Sequence, residues 1–318
     1  MANAQKRQDI GNVSKICISP IKSARMVELD RAMLTKEGIE LVSGNGRAKI
    51  RDRQFMIVMR EPDGNGIHNF VTQRKEKKQS EYLAGGLPVM SLVRQEIKYD
   101  SLSITWKGKN RMEIPLDVNK GREMTVGIWG KAVLAVDQGD LLADWFSDQL
   151  KMNVRLVKAA GPFKRHASQK YMANNNTMRF QDGYPAHWLL HETVYELSEK
   201  AGMEISWERF RPNIVVSGIA PQAEYLVHTG EINGIRFLNP RPCARCPITT
   251  VDQEKGEISG GEPLSTLSRY MRWENIDGKI KVIFGENMLP LGVGEITTGS
   301  KLTMLSRREP PLAYGPKV

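Results

Sequence analysis

Cysteine is scarce: the chain has three, Cys17, Cys243 and Cys246, in 318 residues. That rules out a disulfide framework and points to a reducing, cytoplasmic setting in which thiols are free for chemistry. Long apolar runs are missing too, and the first residues, Met1-Ala-Asn-Ala-Gln-Lys-Arg-Gln-Asp9, are polar. Neither a membrane span of about 18 apolar residues nor a signal peptide is expected. No G-x-S-x-G elbow, Walker loop or G-x-G-x-x-G loop occurs, which disfavours a nicotinamide or ATP enzyme. Acidic residues fall short of basic ones, 36 against 46, leaving a formal net charge of +10. The basic residues are scattered; one short cluster, Lys75, Lys77 and Lys78, is interrupted by Glu76. With no helix-turn-helix, zinc-finger pair or aromatic RNA-binding motif beside them, a compact anionic ligand explains the charge better than nucleic acid.

What is present describes an ordinary soluble globular chain, 40% apolar and 26% charged, long enough for two domains. The segments Val13 to Ser19, Met26 to Leu34, Arg53 to Met59, Val89 to Val93, Ile97 to Trp106 and Thr125 to Trp129 are β-rich. Turn signals stand at Asp63-Gly64-Asn65-Gly66, Gly108 and Gly130. A barrel or sandwich is expected for this first part. The pattern then changes. Asp137 can cap a helix that carries Leu141, Leu142, Trp145, Phe146 and Leu150 on one face. Val154 to Val157 returns to strand, and 162–180 reads as a mobile polar loop, long enough for a lid. Pro185 opens a second helix ending near Gly202, Arg211 to Gly218 is a strand, and 223–238 a hairpin turning at Asn233-Gly234. A short helix from Ser265 to Met271 precedes strands near 279–284 and 301–305. The expected class is mainly β with several helices (α+β). The expected segments are a disordered tail 1–12, a β-domain 13–135, a second domain 136–306 and a tail 307–318, with the junction between 130 and 160.

The densest chemistry lies in Asn239-Pro-Arg-Pro-Cys243-Ala-Arg-Cys246-Pro-Ile-Thr-Thr-Val-Asp252. Pro240, Pro242 and Pro247 fix φ and forbid a regular helix, so the thiols sit on a stiffened loop. Arg241 and Arg245 can stabilise a thiolate, as nucleophile or metal ligand. Spacing alone leaves open half of a zinc knuckle or a buried structural cysteine. His187 and His191 are four apart on the expected second helix and could face one metal. His191-Glu-Thr-Val-Tyr195 nevertheless lacks the second histidine of a zinc-protease motif, so ordinary histidines are the better reading. Three further segments centre on basic residues: Pro20-Ile-Lys22-Ser23, Arg51-Asp52-Arg53 and Arg211-Pro-Asn213. Each supplies the donors that hold a phosphate or polar heterocycle, though each alone is more often a turn or salt bridge.

Taken together in order, these elements resemble the MOSC-domain family of molybdenum-cofactor proteins, in the branch of the mitochondrial amidoxime-reducing components and their bacterial relatives. The match runs over residues 13–305 through Pro20-Ile-Lys-Ser23, Arg51-Asp-Arg53, Thr72-Gln-Arg74, Gly139-Asp140, Phe210-Arg-Pro-Asn-Ile-Val-Val-Ser-Gly218, Cys243-Ala-Arg-Cys-Pro-Ile-Thr-Thr-Val-Asp252, Glu262-Pro-Leu-Ser-Thr-Leu267 and Phe284-Gly-Glu-Asn287. The resemblance implies an N-terminal MOSC-associated β-domain, then a MOSC β-barrel. It implies a pyranopterin dithiolene with one molybdenum and a terminal phosphate. Cys246 matches the family's metal ligand and the catalytic centre, with Arg245 placed to keep it ionised. Lys22, Ser23, Arg53, Arg211 and Asn213 match positions that hold the phosphate and pterin.

The implied activity is removal of oxygen from N-hydroxylated compounds such as amidoximes, hydroxylamines and hydroxylated base analogues. The alternative within the family is a non-catalytic protein that binds or delivers the cofactor or its sulfur. No cysteine follows Cys246, so an iron–sulfur domain is not expected. Electrons are then expected from a separate protein of ferredoxin, flavodoxin or cytochrome b5 type with its reductase. One departure concerns the phosphate: where the family has Asp-Thr-Ser-Pro, this chain has Asp182-Gly-Tyr-Pro185 and so lacks two hydroxyls. Another is Lys75-Glu-Lys-Lys78 after Arg74, which departs from the family's route to a proline at that rim.

Overall fold

The strand Gln8–Ile18 begins inside the segment expected to be a tail and is wedged between Ile214–Ser217 and Lys301–Arg307. It pairs near its start with the last strand, Gln8 opposite Met304, and further on with the other, Asn12 opposite Ser217. The structure, a computed structural model, describes residues 8–42, 49–74, 83–118, 121–159 and 165–309. The basic cluster at 75–78, the start of the expected lid at 162–164 and most of the expected C-terminal tail lie outside these residues.

The described residues are mainly β and form two closed barrels. The larger runs Ala186–Leu190, Ile214–Ser217, Gln8–Ile18, Lys301–Arg307, Val227–Ile232, Ile235–Leu238 and Ile280–Pro290, and the last pairs back onto the first. The smaller runs Glu123–Ile128, Lys131–Asp137, Val154–Ala159, Phe55–Met59 and His68–Thr72, which pairs back onto Glu123–Ile128. Closure removes the exposed edges that strands otherwise offer to other chains. Met56, Val58, Phe70, Val126, Val157 and Phe180 share one apolar cluster in the smaller barrel. Ile16, Ile18, Trp188, Leu190, Val216 and Phe237 belong to the cluster of the larger one. Alternate residues of the same strands, Leu189 and Val215, pack outward with the helices α2 (His191–Ala201) and α3 (Leu264–Tyr270). Burial on both faces is why these strands read as unbroken apolar runs.

Several local expectations change. Val89–Val93 is mostly a tight 3-10 turn, Pro88–Leu92, because Pro88 fixes its first φ and Met90 N donates to Leu87 O at 2.9 Å. The stretch Ile97–Trp106 is broken by a turn into Val93–Ile97 and Ser101–Trp106. Asp137 does not cap α1 (Asp140–Leu150); it ends a strand and binds the Arg155 guanidinium at 2.5 Å. Leu141 points to solvent, so the buried stripe is Leu142, Trp145, Phe146 and Leu150. Pro185 precedes a strand, Ala186–Leu190, whose residues are all buried, and α2 starts only at His191. His187 and His191 therefore sit on different elements. Within the expected lid, Arg165–His166 pairs with Thr177–Met178, and the buried Asn176 amide donates to Lys36 O and Pro290 O at 2.9 and 2.8 Å. The hairpin at Asn233-Gly234 has both turn residues at positive φ, 47° and 79°, as a two-residue connection between twisted strands requires.

Candidate functional site

The two barrels are joined at one corner. Past Ile18 the chain turns at Pro20, and Ile21 pairs with Phe55 of the smaller barrel. Arg53 N donates to Ser19 O and Lys22 N to Phe55 O, at 2.9 and 2.8 Å. A cavity of about 180 Å³ opens there, and all the residues expected to hold a cofactor line it: Lys22, Ser23, Arg53, Arg211, Asn213, Arg245 and Cys246. Positions as distant in sequence as 22 and 246 thus meet in one place.

The backbone around the cavity is under strain. Ser23, Arg53, Trp129 and Arg211 line it at φ of 71°, 51°, 48° and 54°, a region that side-chain-bearing residues seldom occupy. Each costs about 1–3 kcal/mol and persists only where neighbours dictate it. Asp52 does so for Arg53: fully buried, it accepts from Ser19 N at 2.8 Å and pairs with the Arg53 guanidinium. Arg211 ends a 3-10 turn and reaches inward, donating from Nη2 to Ser19 Oγ and Ala24 O, both at 2.8 Å. Lys22, 5% exposed, donates to Phe180 O at 2.9 Å and Asp182 Oδ1 at 2.5 Å. Trp129 Nε1 donates to the same carboxylate at 2.8 Å.

The electrostatics are lopsided. Among the described residues Lys22, Arg53, Arg74, Arg211, Arg241 and Arg245 line the cavity, against one carboxylate, Asp182. Burial and the neighbouring Arg53 push the Arg211 guanidinium down to about 9. Burial also lowers Lys22, opposed by Asp182. Burial works against ionisation of Asp182, but Lys22, Arg53 and the Trp129 donor together outweigh it and hold its carboxyl well below the usual range. His187 is kept neutral by burial and by Arg245. Its ring also explains Gly285: at φ 69° a Cβ there would come within 2.6 Å of His187 Nε2.

The cysteine loop is fixed along the strand Ile280–Pro290. Arg245 N donates to Val282 O at 2.8 Å, and the Asn287 amide to Arg241 O and Pro242 O at 3.2 and 3.1 Å. Cys246 then opens the 3-10 turn Pro247–Thr250, its carbonyl accepting from Thr249 N and Oγ1, both at 3.2 Å. One expectation needs correcting. Arg245 does not hold Cys246: its Nη1 donates to Cys243 Sγ at 3.0 Å and its Nη2 to Phe210 O at 2.7 Å, because it turns back over the Phe210 ring. Asn213 lines the cavity as expected and also braces the barrel: Oδ1 accepts from His187 N at 3.2 Å and Nδ2 donates to Cys17 O at 3.1 Å, leaving its second N–H uncommitted among the described residues. It ties strands of the larger barrel together. Among the described residues no group of three or more His, Cys, Asp or Glu side chains converges as a metal site.

Residues 10–153 match the family model described as the MOSC N-terminal beta barrel domain, and 175–303 the one described as the MOSC domain. The chain is 31% identical to mitochondrial amidoxime reducing component 2 of Bos taurus over 273 residues, 84% of this chain and 74% of the relative. The chain belongs to the MOSC family. It is 29% identical to component 2 of Rattus norvegicus over 271 residues, 83% of this chain and 73% of that one. To component 1 of Homo sapiens it is 25% identical over 313 residues, 94% and 85% of the two chains. For a MOSC protein the cavity adds residues that sequence reasoning had not assigned. Asp182, Tyr184 and Asn287 lie in family motifs to which the sequence alone attaches no role, and Arg241, expected only to support a thiolate, lines the same cavity. Trp129 was legible only as the end of a strand.

Proposed function

We infer that this MOSC protein is a molybdenum-cofactor-dependent reductase of N-hydroxylated compounds. The observation that carries the reading is the charge of the cavity: six cationic side chains against one carboxylate, around a free Cys246 thiol. Cations gathered in such excess, Lys22 and Arg211 among them buried, disfavour the fold unless an anion joins them. A phosphorylated pterin dithiolene suits that donor set: guanidinium and ammonium groups for the phosphate, a soft sulfur for the metal.

When bound, such a cofactor supplies a molybdenum centre that takes up oxygen and exchanges two electrons. The chain's own residues have four tasks. Cys246, at the N-terminal end of a proline-stiffened turn, presents its sulfur as the metal ligand. Lys22, Ser23, Arg53 and Arg211 hold the anionic end, and Asp52 and Asp182 keep Arg53 and Lys22 in position. Arg245 steadies the loop through Cys243 and Phe210. His187, neutral and buried, adds no charge of its own to the cavity. The net reaction converts N–OH to N–H and water, consuming two protons and two electrons from a separate donor protein of ferredoxin, flavodoxin or cytochrome b5 type.

The test is elemental and pterin analysis of protein from a molybdenum-replete host, followed by benzamidoxime turnover with an artificial reductant. Bound molybdenum and pterin with amidine formation are expected. Zinc in place of molybdenum overturns the reading, and loaded protein that reduces no N-hydroxylated compound identifies a carrier instead.

A further inference from the structure

The cavity's cations are not equivalent. Arg53 is matched by Asp52, Lys22 by Asp182, Arg211 by Ser19 and Ala24, and Arg245 by Cys243 and Phe210. Arg241 differs: among the described residues nothing accepts a hydrogen bond from its guanidinium, and its Nε is buried without a partner. Aromatic rings hold it, with Tyr171 at 5.0 Å and Tyr184 at 5.6 Å from its central carbon. Tyr171 is itself backed by Trp273 at 5.5 Å. A guanidinium stacked in this way keeps its donor edge pre-aimed and spends no side-chain entropy when an anion arrives. Tyr184, 4% exposed, also lines the cavity with its hydroxyl unpartnered.

Both groups meet at Gly183-Tyr184, where the chain lacks the family's two hydroxyls. A Cβ on Gly183 would have as its nearest neighbour Arg241 Nη2, at 4.0 Å. The arginine's donor edge thus lies beside the position from which a threonine side chain would reach.

We propose that Arg241 and Tyr184 replace the missing hydroxyls and complete, together with Lys22, Ser23, Arg53 and Arg211, the subsite for the cofactor's terminal phosphate. The exchange is chemically even-handed: a charge-assisted fork and a phenol stand in for two neutral hydroxyl donors, and charge-assisted bonds are the stronger kind. Two buried polar atoms without partners among the described residues, Arg241 Nε and the Tyr184 hydroxyl, are explained at once, since each would cost free energy if left dry. This inference rests on the cofactor part of the proposed function, not on the reductase activity.

The test reads pterin and molybdenum per chain in protein purified with its cofactor. Arg241→Met is expected to lower both about tenfold, the effect of losing one such contact. Tyr184→Phe, which removes only an unpartnered hydroxyl and leaves the packing intact, is expected to lower both by about half that factor on the same scale. The triple variant Gly183→Thr, Tyr184→Ser, Arg241→Met is expected to regain wild-type loading. Wild-type loading in Arg241→Met or in Tyr184→Phe overturns the proposal. So does a folded triple variant that stays empty. Full loading of Arg241→Met with a raised KM only for carboxylate-bearing amidoximes also overturns it, assigning Arg241 to substrate. A wild type that carries pterin but reduces no N-hydroxylated compound leaves the subsite standing and removes the reductase. A wild type without pterin removes both.

Discussion

Asp52→Asn probes the frame that holds the cavity's positive charge. Asp52 is fully buried, its Oδ1 accepting from Ser19 N and its Oδ2 paired with Arg53. Asparagine keeps the shape and one acceptor but removes the charge. Burial disfavours the charged Arg53, and Asp52 outweighs it, holding the guanidinium above its ordinary value. Deleting one partner of a buried ion pair costs about 3–5 kcal/mol. Arg53 keeps 13% of its side chain exposed toward the cavity, which argues for the lower end, about 3 kcal/mol. At about 2 °C per kcal/mol for a chain of this size, thermal unfolding of the cofactor-free protein should fall by about 6 °C. The loss should shrink when the anion is bound, because it then balances Arg53 in place of Asp52. Circular dichroism melts of cofactor-free and loaded protein check both statements. A cofactor-free drop under about 2 °C, or an equal drop in both states, refutes the argument.

Other outcomes follow from the same geometry. Cys246→Ala should abolish molybdenum binding and turnover with the fold intact, whereas Cys243→Ala should be milder, since Arg245 keeps its bond to Phe210 O; equal losses would make Cys246 unsafe as the ligand. Asn213→Ala should behave as a folding variant, costing about 2 kcal/mol or more in urea unfolding, because His187 N and Cys17 O each lose a buried partner. Glu224, fully buried with one oxygen unpartnered, is pushed by burial up to about 8. Its folded value lies above its unfolded one, so its contribution is complete below about pH 4.5 and declines as pH rises toward 8. Glu224→Gln should therefore match wild type at about pH 4 and exceed it by about 3–4 kcal/mol near pH 7.5 in urea unfolding; parallel pH profiles would contradict this.

Local features were readable wherever neighbours in sequence decide them. The Asn233-Gly234 turn, the end of α2 at Gly202 and the strand after Pro212 follow from φ preferences and alternation. Pro185 misled because a proline suits the first turn of a helix and the start of a strand alike. The all-buried run Ala186–Leu190 has no period that separates the two. Asp137 looked like a cap because Arg155, its partner, lies 18 residues on.

The sequence by itself determined the chemistry available: two thiols on a proline-stiffened loop, a surplus of basic residues, and an ordered set of short motifs that names a family. Only the tertiary structure decided allegiance. Strand pairing is a long-range choice, so Gln8–Ile18 joins the last strand of the chain and Val154–Ala159 joins Phe55–Met59. Side-chain partners are likewise settled in space: Arg245 turns to Cys243, Asn213 ties strands of the larger barrel together, and Arg241, flanked by two tyrosine rings, meets no acceptor among the described residues.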